Sequence, residues 1–204
     1  MIPLRRQIPA DNSCLFNAFS YVYNPLEHSD NSANNLRKLI AEIISKDPIR
    51  YNTTLLEMSN SNYQDYIKNP NKWGGALELS ILSDHFKINI CAFDIQSIKT
   101  HNFGETNNYT EIVYLLYDGI HYDSLIMTID NTLPTDFDIT KFNINDTSIS
   151  EQFFNLVYEL HTHRKYTDLN ESKFVCLDCR EQFTGQHLAI KHAQQTSHQN
   201  LSEI

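Results

Sequence analysis

Cys14 stands in the stretch 10-ADNSCLFNAF-19, between a small polar cluster and the first residues of an apolar pattern, with no second cysteine near it. Such a thiol is a core group, a metal ligand or a nucleophile. The last requires a base. A helix N-terminus and a neighbouring imidazole lower a thiol pKa from about 8.5 to well below neutrality, and Cys14 sits where a helical stripe begins. The best-placed imidazole is His121 in 117-YDGIHYDSL-125, where Gly119 supplies a turn at the mouth of a strand and Asp123 lies two residues on. Residues two apart in a strand share a face. Asp123 can therefore bind one ring nitrogen while the other meets the sulfur, fixing tautomer and orientation as a Cys-His-acid site needs. Asp11 is a second carboxylate close to the nucleophile. From residue types alone, a buried core thiol is the competing reading of Cys14.

A second constellation lies near the C-terminus. Cys176 and Cys179 are separated by two residues, His192 follows after twelve more, and His198 after a further five. Two thiolates on a knuckle and two imidazoles about a helical turn or more apart close a tetrahedron around Zn²⁺ in a small ββα unit. Phe174 and Phe183, with Ala189 or Leu188, supply the residues to pack beneath the metal, whose binding makes good a core too small to fold alone. The zinc is thus structural, and no cofactor is expected for catalysis. Fingers that read DNA usually come in arrays with basic helices, whereas this helix reads GQHLAIKHAQQ. A structural or protein-contact module is the better reading.

These groups must be positioned by a chain of 204 residues, 41% hydrophobic, with a formal charge of -9. That length suits one ordinary domain plus a small appendage. The acidic balance argues against coating nucleic acid or an anionic membrane. Arg5 and Arg6 near the start have no apolar run behind them, so no secretory signal is read there, and no later run reaches bilayer-spanning length. Four cysteines are few for a disulfide framework. The expectation is a soluble monomer of the cytoplasm, with the nucleus as a second compartment.

Leu15, Phe16, Phe19, Val22 and Tyr23 form a helical stripe that stops at Asn24-Pro25. Leu36, Leu39, Ile40, Ile43 and Ile44 form another after caps at Asn31 and Ser32. Tyr63, Tyr66 and Ile67 predict a short helix closed by Asn69-Pro70, and 73-WGGALELSILSDHF-86 reads as a glycine turn entering a further helix. The runs 88-INICAF-93, 111-EIVYLLY-117 and 122-YDSLIMT-128 read as strands. Helices preceding strands indicate an α+β layout. Residues 129–147 read as a connecting loop broken by Pro134; Ser148 with Glu151 has capping-box spacing for a helix that joins the two parts. The divisions are 1–129, 130–170 and 171–204. Cys91 reads as a core strand thiol, and Trp73 as either a cleft wall or a core anchor. His28, His85, His101, His161 and His163 have no spacing that implicates them, the last two lying at an exposed basic helix end.

Three segments together carry a resemblance. ADNSCLFNAF resembles the Asp-x-x-Cys-Leu-Phe nucleophile loop of the ovarian-tumour (OTU) deubiquitinases; 73-WGGALELSILS-83 is similar to their Trp-Gly-Gly-x-x-Glu-Leu segment; 119-GIHYDSL-125 resembles their Gly-x-His-Tyr-Asp block. FVCLDCREQF and HAQQTSHQNL are similar to the C-terminal C2H2 finger of the YOD-type ubiquitin thioesterases. The resemblance covers nearly the whole chain. It implies a papain-like α+β fold that cleaves isopeptide and thioester bonds to the ubiquitin C-terminus, in the ubiquitin-conjugation pathway of protein quality control. It implies Cys14 as nucleophile, His121 as general base and then acid, Asp123 as the orienting carboxylate, and Asp11 as the loop Asp of the same site. Whether Asp123 or Asp11 does more for His121 stays open at this level. The backbone N–H groups of 11-DNSC-14 would bind the oxyanion, and ubiquitin or polyubiquitin is the implied partner.

Two departures qualify this. YOD-type relatives carry an N-terminal UBX-like domain that docks on the valosin-containing AAA ATPase. Here the nucleophile loop begins ten residues from the first residue, so that partnership is expected to lack its usual docking domain. Ser197 stands where relatives often have Gly, a change expected to leave the metal site intact. The rival classes are a catalytically inactive ubiquitin-binding adaptor and a nucleic-acid-binding finger protein; the first is disfavoured by Cys14, His121 and Asp123 occurring together, the second by the lack of a basic stripe on the finger helix.

Overall fold

The computed structural model describes residues 1–168, 171, 173–196, 198 and 201–203. In chain order it contains β1 (Ile2–Arg6), α1 (Cys14–Tyr23), α2 (Ser32–Lys46), α3 (Thr53–Leu56), α4 (Asn60–Lys68), α5 (Ala76–Phe86), β2 (Asn89–Asp94), β3 (Lys99–Phe103), β4 (Glu111–Tyr117), β5 (Tyr122–Thr128), β6 (Phe142–Asn143) and α6 (Thr147–Thr162). After these come β7 (Lys173–Cys176), β8 (Gln182–Thr184), α7 (Gln186–Thr196) and β9 (Leu201–Glu203).

The first twelve elements build helices on both sides of one mixed sheet, ordered β1-β5-β4-β2-β3, with β6 also on β4. Only β2 and β4 run parallel; the other pairings are antiparallel. Alternation along the strands divides the core. Ile90, Ala92, Val113, Leu115 and Ile126 face α1, α2, α4 and α5, where Phe16 and Phe19 are completely buried. Each such ring is worth about 1.5–3 kcal/mol over an exposed one. Phe93, Tyr114, Leu116, Leu125 and Met127 face the other way, onto Phe153 and Val157 of α6. The final helix of this unit is therefore more than a joint between parts: it covers the sheet's second face.

Several local expectations need correction. Strand β1 was not read from IPLRR because it holds two arginines, yet each meets a buried carboxylate: Arg5 that of Asp123, and Arg6 that of Asp138 through two bonds of 2.7 Å. Strand β3, KTHNF, lies at the sheet edge with its first four residues exposed, so it lacks apolar alternation. The stretch 129–147 is not simply a loop: Ile139 exchanges both backbone hydrogen bonds with Met127, Tyr21 donates to Asp138, and Phe142 enters the core. Helix α6 is capped by Asp146, whose carboxylate accepts from the Ser148 amide, rather than by Ser148 itself. Asn31 occupies the cap position of α2 without a side-chain cap bond.

The C-terminal unit adds a strand to the expected ββα. Strand β7 pairs with both β8 and β9, so the small sheet has three strands. Phe174 faces Phe183 across it, and Ala189, not the exposed Leu188, is buried beside them. Ser197 lies outside the described residues.

Candidate active site and metal centre

Cys14 is the first residue of α1 and only 7% exposed. The loop before it is a closed turn: Asp11 N–H donates to Pro9 O, Ser13 N–H to Asp11 Oδ1 at 2.8 Å, and Cys14 N–H to Asp11 O at a long 3.3 Å. Asp11 thus shapes the loop that carries Cys14. Burial pushes the Cys14 thiol up, and nearby Asp11 and Asp118 add to this, while the backbone N–H groups of Tyr122 and Leu15 work in the opposite direction. The lowering expected from the helix end is outweighed by desolvation. The Tyr122 amide also brings the sulfur to the start of β5, next to His121.

The turn that presents His121 is held from behind. Gly119 has φ +109°, a left-handed conformation suited to glycine. Asp118 Oδ1 accepts from the amides of Ile120 at 3.2 Å and His121 at 2.9 Å. The backbone of Thr167, beyond α6, seals the back of this turn. Its N–H donates to Asp118 O at 2.7 Å, and its carbonyl oxygen would stand 2.6 Å from a Cβ placed on Gly119.

Of the two candidate carboxylates, Asp123 meets the imidazole: His121 Nε2 is 3.1 Å from Asp123 Oδ1. The same oxygen accepts from Ile8 N–H at 2.6 Å, and Oδ2 accepts from Arg5 Nε at 2.5 Å. With Asp123 as the acceptor, Nε2 is the ring's N–H and Nδ1 is its free nitrogen. Arg5 and Ile8 were missed in the sequence because they come from the far end of the chain.

Cys14 opens into a cleft of about 640 Å³ walled by Trp73, Gly74, Gly75, Ile120 and Tyr122. Trp73 is 55% exposed, which rules out the core-anchor reading. Its indole N–H donates to Asn12 Oδ1 at 2.5 Å, tying wall to nucleophile loop. Gly74 is required by contact, since a Cβ there would meet the Phe16 ring at 2.7 Å. Glu78 accepts from Gly75 N–H at 2.7 Å and from the Tyr63 hydroxyl, fixing the turn into α5. His101 also lines the cleft, although its spacing gave no sign of it. His161, expected to be exposed, instead faces the Ile95 carbonyl at 2.9 Å and stacks on Tyr166. Cys91 is buried in the sheet with its thiol pushed up to about 12 by desolvation.

The four donors of Cys176, Cys179, His192 and His198 lie within 4.8 Å of one another. Cys179 Sγ is 3.5 Å from His192 Nε2, Cys176 Sγ 3.7 Å from His198 Nδ1, and the two ring nitrogens 3.3 Å apart. A tetrahedral ion with zinc's bond lengths separates S and N by about 3.6 Å and two N by about 3.4 Å. The donor set fits such an ion. Glu181 Oε2 lies 3.2 Å from His192 Nδ1, which leaves Nε2 for the metal.

Residues 9–129 match the family model described as "OTU-like cysteine protease", and residues 173–204 that of "Ubiquitin thioesterase OTU1, C-terminal C2H2-type zinc finger". The chain is 42% identical to "Ubiquitin thioesterase OTU1" of Dictyostelium discoideum over 98% of its own length and 61% of that protein's. It is 39% identical to the Homo sapiens protein of that name, with 98% and 57% covered. The chain thus spans about three fifths of these relatives. It spans 98% of a third, "OVARIAN TUMOR DOMAIN-containing deubiquitinating enzyme 2" of Arabidopsis thaliana, at 41% identity over 99% of this chain. A solved structure of an "Ovarian Tumor (OTU) domain in complex with Ubiquitin" superposes with TM-score 0.69 and 29% identity, covering 81% of this chain and 90% of that one. The sheet with its helices is the papain-like OTU fold, and the chain belongs to the family of OTU-like cysteine proteases, with a C2H2 finger of the OTU1 type behind the catalytic unit.

Proposed function

We propose that the chain is a thiol hydrolase that cleaves isopeptide and thioester bonds to the C-terminus of ubiquitin. The observation that carries this is that Cys14 opens into the cleft with the Tyr122 amide at its sulfur, one residue along from His121, whose Nε2 Asp123 holds, together with the similarity to proteins named ubiquitin thioesterase. At rest the buried thiol is neutral, so its proton passes to His121 Nδ1 as the sulfur attacks the carbonyl carbon of ubiquitin's last glycine. Asp123 holds Nε2–H and stabilises the imidazolium that results. Negative charge develops on the carbonyl oxygen. In the nucleophile loop the amide of Asn12 has no partner among the described residues, and that of Cys14 makes only its long bond; these two are the oxyanion donors. His121 then gives its proton to the departing lysine amine or thiol, a thioester forms on Cys14, and water activated by His121 hydrolyses it. The wall of Trp73, Gly74 and Gly75 suits a tail ending in two glycines.

The test is labelling with ubiquitin that carries a C-terminal electrophile. The native protein gains the mass of one ubiquitin on Cys14. Folded native protein that takes up no label overturns the reading, and reversible ubiquitin binding without an adduct would favour the inactive adaptor instead.

The finger's ion, in the same reading, is zinc in a structural role. The metal donors and the cleft residues share no member. Binding of structural zinc supplies about 10–16 kcal/mol to folding in small fingers. Removing it with a strong chelator is expected to unfold β7 to β9 with α7, seen by NMR as collapse of those resonances. Hydrolysis of a small ubiquitin C-terminal ester should change less than about twofold. A parallel loss of hydrolysis would place the finger in the catalytic unit.

A further inference from the structure

Arg37 is the largest completely buried side chain among the described residues, at 0% exposure within α2. It pairs with no carboxylate among the described residues. Its Nη1 donates to Ile67 O at 3.0 Å, while Nη2 lies 2.9 Å from Asn12 O, 3.1 Å from Ser13 Oγ and 2.6 Å from Lys72 O. Two protons on Nη2 serve three acceptors, and Nε has no partner. The guanidinium lies over the Phe16 ring at 4.2 Å, the ring against which Gly74 packs. Glu78 and Asp11 act on it through space, without a direct ion pair; burying a charge in this way costs stability, and an apolar side chain of similar volume commonly does better. Core filling therefore does not account for it.

The identity of the acceptors does. Asn12 and Ser13 belong to the nucleophile loop, and Lys72 directly precedes Trp73 in the opposing wall. With its carbonyl on Arg37, the Asn12–Ser13 peptide has its N–H turned the other way, onto Asp11 Oδ1 at 2.8 Å. That closes the turn in which the Asn12 amide has no partner among the described residues.

We propose that Arg37 is a positioning residue for the thiol chemistry: it fixes the plane of the Asn12–Ser13 peptide and the gap between nucleophile loop and Trp73 wall, so that the oxyanion donors are in place before the tetrahedral intermediate forms. This rests on the hydrolase reading above. Arg37 touches no substrate; it acts through the backbone of residues 12 and 72.

Alkylation of Cys14 by iodoacetamide displaces iodide at a saturated carbon and creates no oxyanion, so it separates loop geometry from general damage. Arg37→Lys keeps the charge but lacks the planar fork. Its kcat on ubiquitin C-terminal aminomethylcoumarin is expected to fall about 10²–10³-fold, the loss found when an oxyanion donor is removed. KM and the alkylation rate should stay within about threefold of native. Native kcat in a folded Arg37→Lys protein overturns the proposal, and so does an equal loss of turnover and alkylation, which would mean a merely structural role. If the lysine variant does not fold, Arg37→Met, an apolar side chain of similar volume that the core should accept, decides: lower kcat with unchanged alkylation supports the proposal, and native kcat overturns it. Failure of the native protein to turn over this substrate would instead be failure of the hydrolase reading.

Discussion

Cys14→Ala is expected to reduce hydrolysis of ubiquitin derivatives by at least about 10⁴-fold, to the uncatalysed background, because among the described residues lining the cleft Cys14 alone carries a thiol. The exchange removes one sulfur atom from a site that is 7% exposed, so the protein should keep its fold, with a stability loss of about 1 kcal/mol or less. Affinity for ubiquitin should persist or rise, since the attacking atom is gone while the walls remain. Steady-state kinetics, calorimetric unfolding and equilibrium titration with ubiquitin measure the three quantities on one preparation. Cys91→Ala is the control: its thiol lies in the sheet and is held neutral by burial, and its loss should leave kcat unchanged. Residual turnover by the Cys14 variant above about one part in a thousand of native would show that a different nucleophile acts.

Asp123→Asn should cost about 10⁴-fold in kcat while conserving the shape of the side chain. The native carboxylate accepts from three donors: Ile8 N–H, His121 Nε2–H and Arg5 Nε–H. An asparagine offers one oxygen. Placed toward Ile8 and His121, its amide group confronts Arg5, donor against donor. Turned over, it donates to His121 Nε2, which moves the ring proton to Nδ1 and leaves no base facing Cys14. An unpaired charged donor costs more than an unpaired amide, so the turned orientation, with its oxygen on Arg5 and the ring proton moved, is the expected one, and the unpaired Ile8 N–H weakens the protein by about 1–3 kcal/mol. Kinetics and the ¹⁵N shifts of the His121 ring distinguish the cases. A variant with near-native kcat would mean that His121 does not depend on Asp123 for its tautomer.

The same residues explain how far the chain could be read directly. The stripe of α2 was legible because its burial is periodic, and β4 and β5 because they are short β-branched and aromatic runs buried almost throughout and bounded by polar loops; both are local properties. His121 and Asp123 were legible as a pair from their two-residue spacing in one segment, whereas Cys14 was joined to them by the resemblance of its loop to that of the OTU family. Strand β1 was not: Arg5 and Arg6 look like surface charges until Asp123 and Asp138, more than a hundred residues away, are seen to neutralise them. Arg37 was hidden for a related reason, since beside Leu36 it reads as an ordinary helix-face cation and only the folded chain brings residues 12 and 72 to it. The thiol's direction of shift was misread because a helix end is visible in sequence, whereas the depth at which its first residue is buried is not.

The Thr167 backbone behind Gly119 makes the state of the histidine turn a matter of population. The segment that leaves α6 toward the finger is docked by the stacking of Tyr166 on His161, by a short hydrogen bond from Thr167 to Asp118 and by a contact with no room for an added methyl group. That hydrogen bond contributes about 1 kcal/mol to the docking, so its loss alone shifts the ratio of docked to undocked molecules roughly fivefold. Every influence on residues 165–168, whether tension from the finger or a partner seated on the linker, is thus weighed against the order of the turn that carries the base. The fraction of chains ready to react is in this way a thermodynamic property shared by the two ends of the linker.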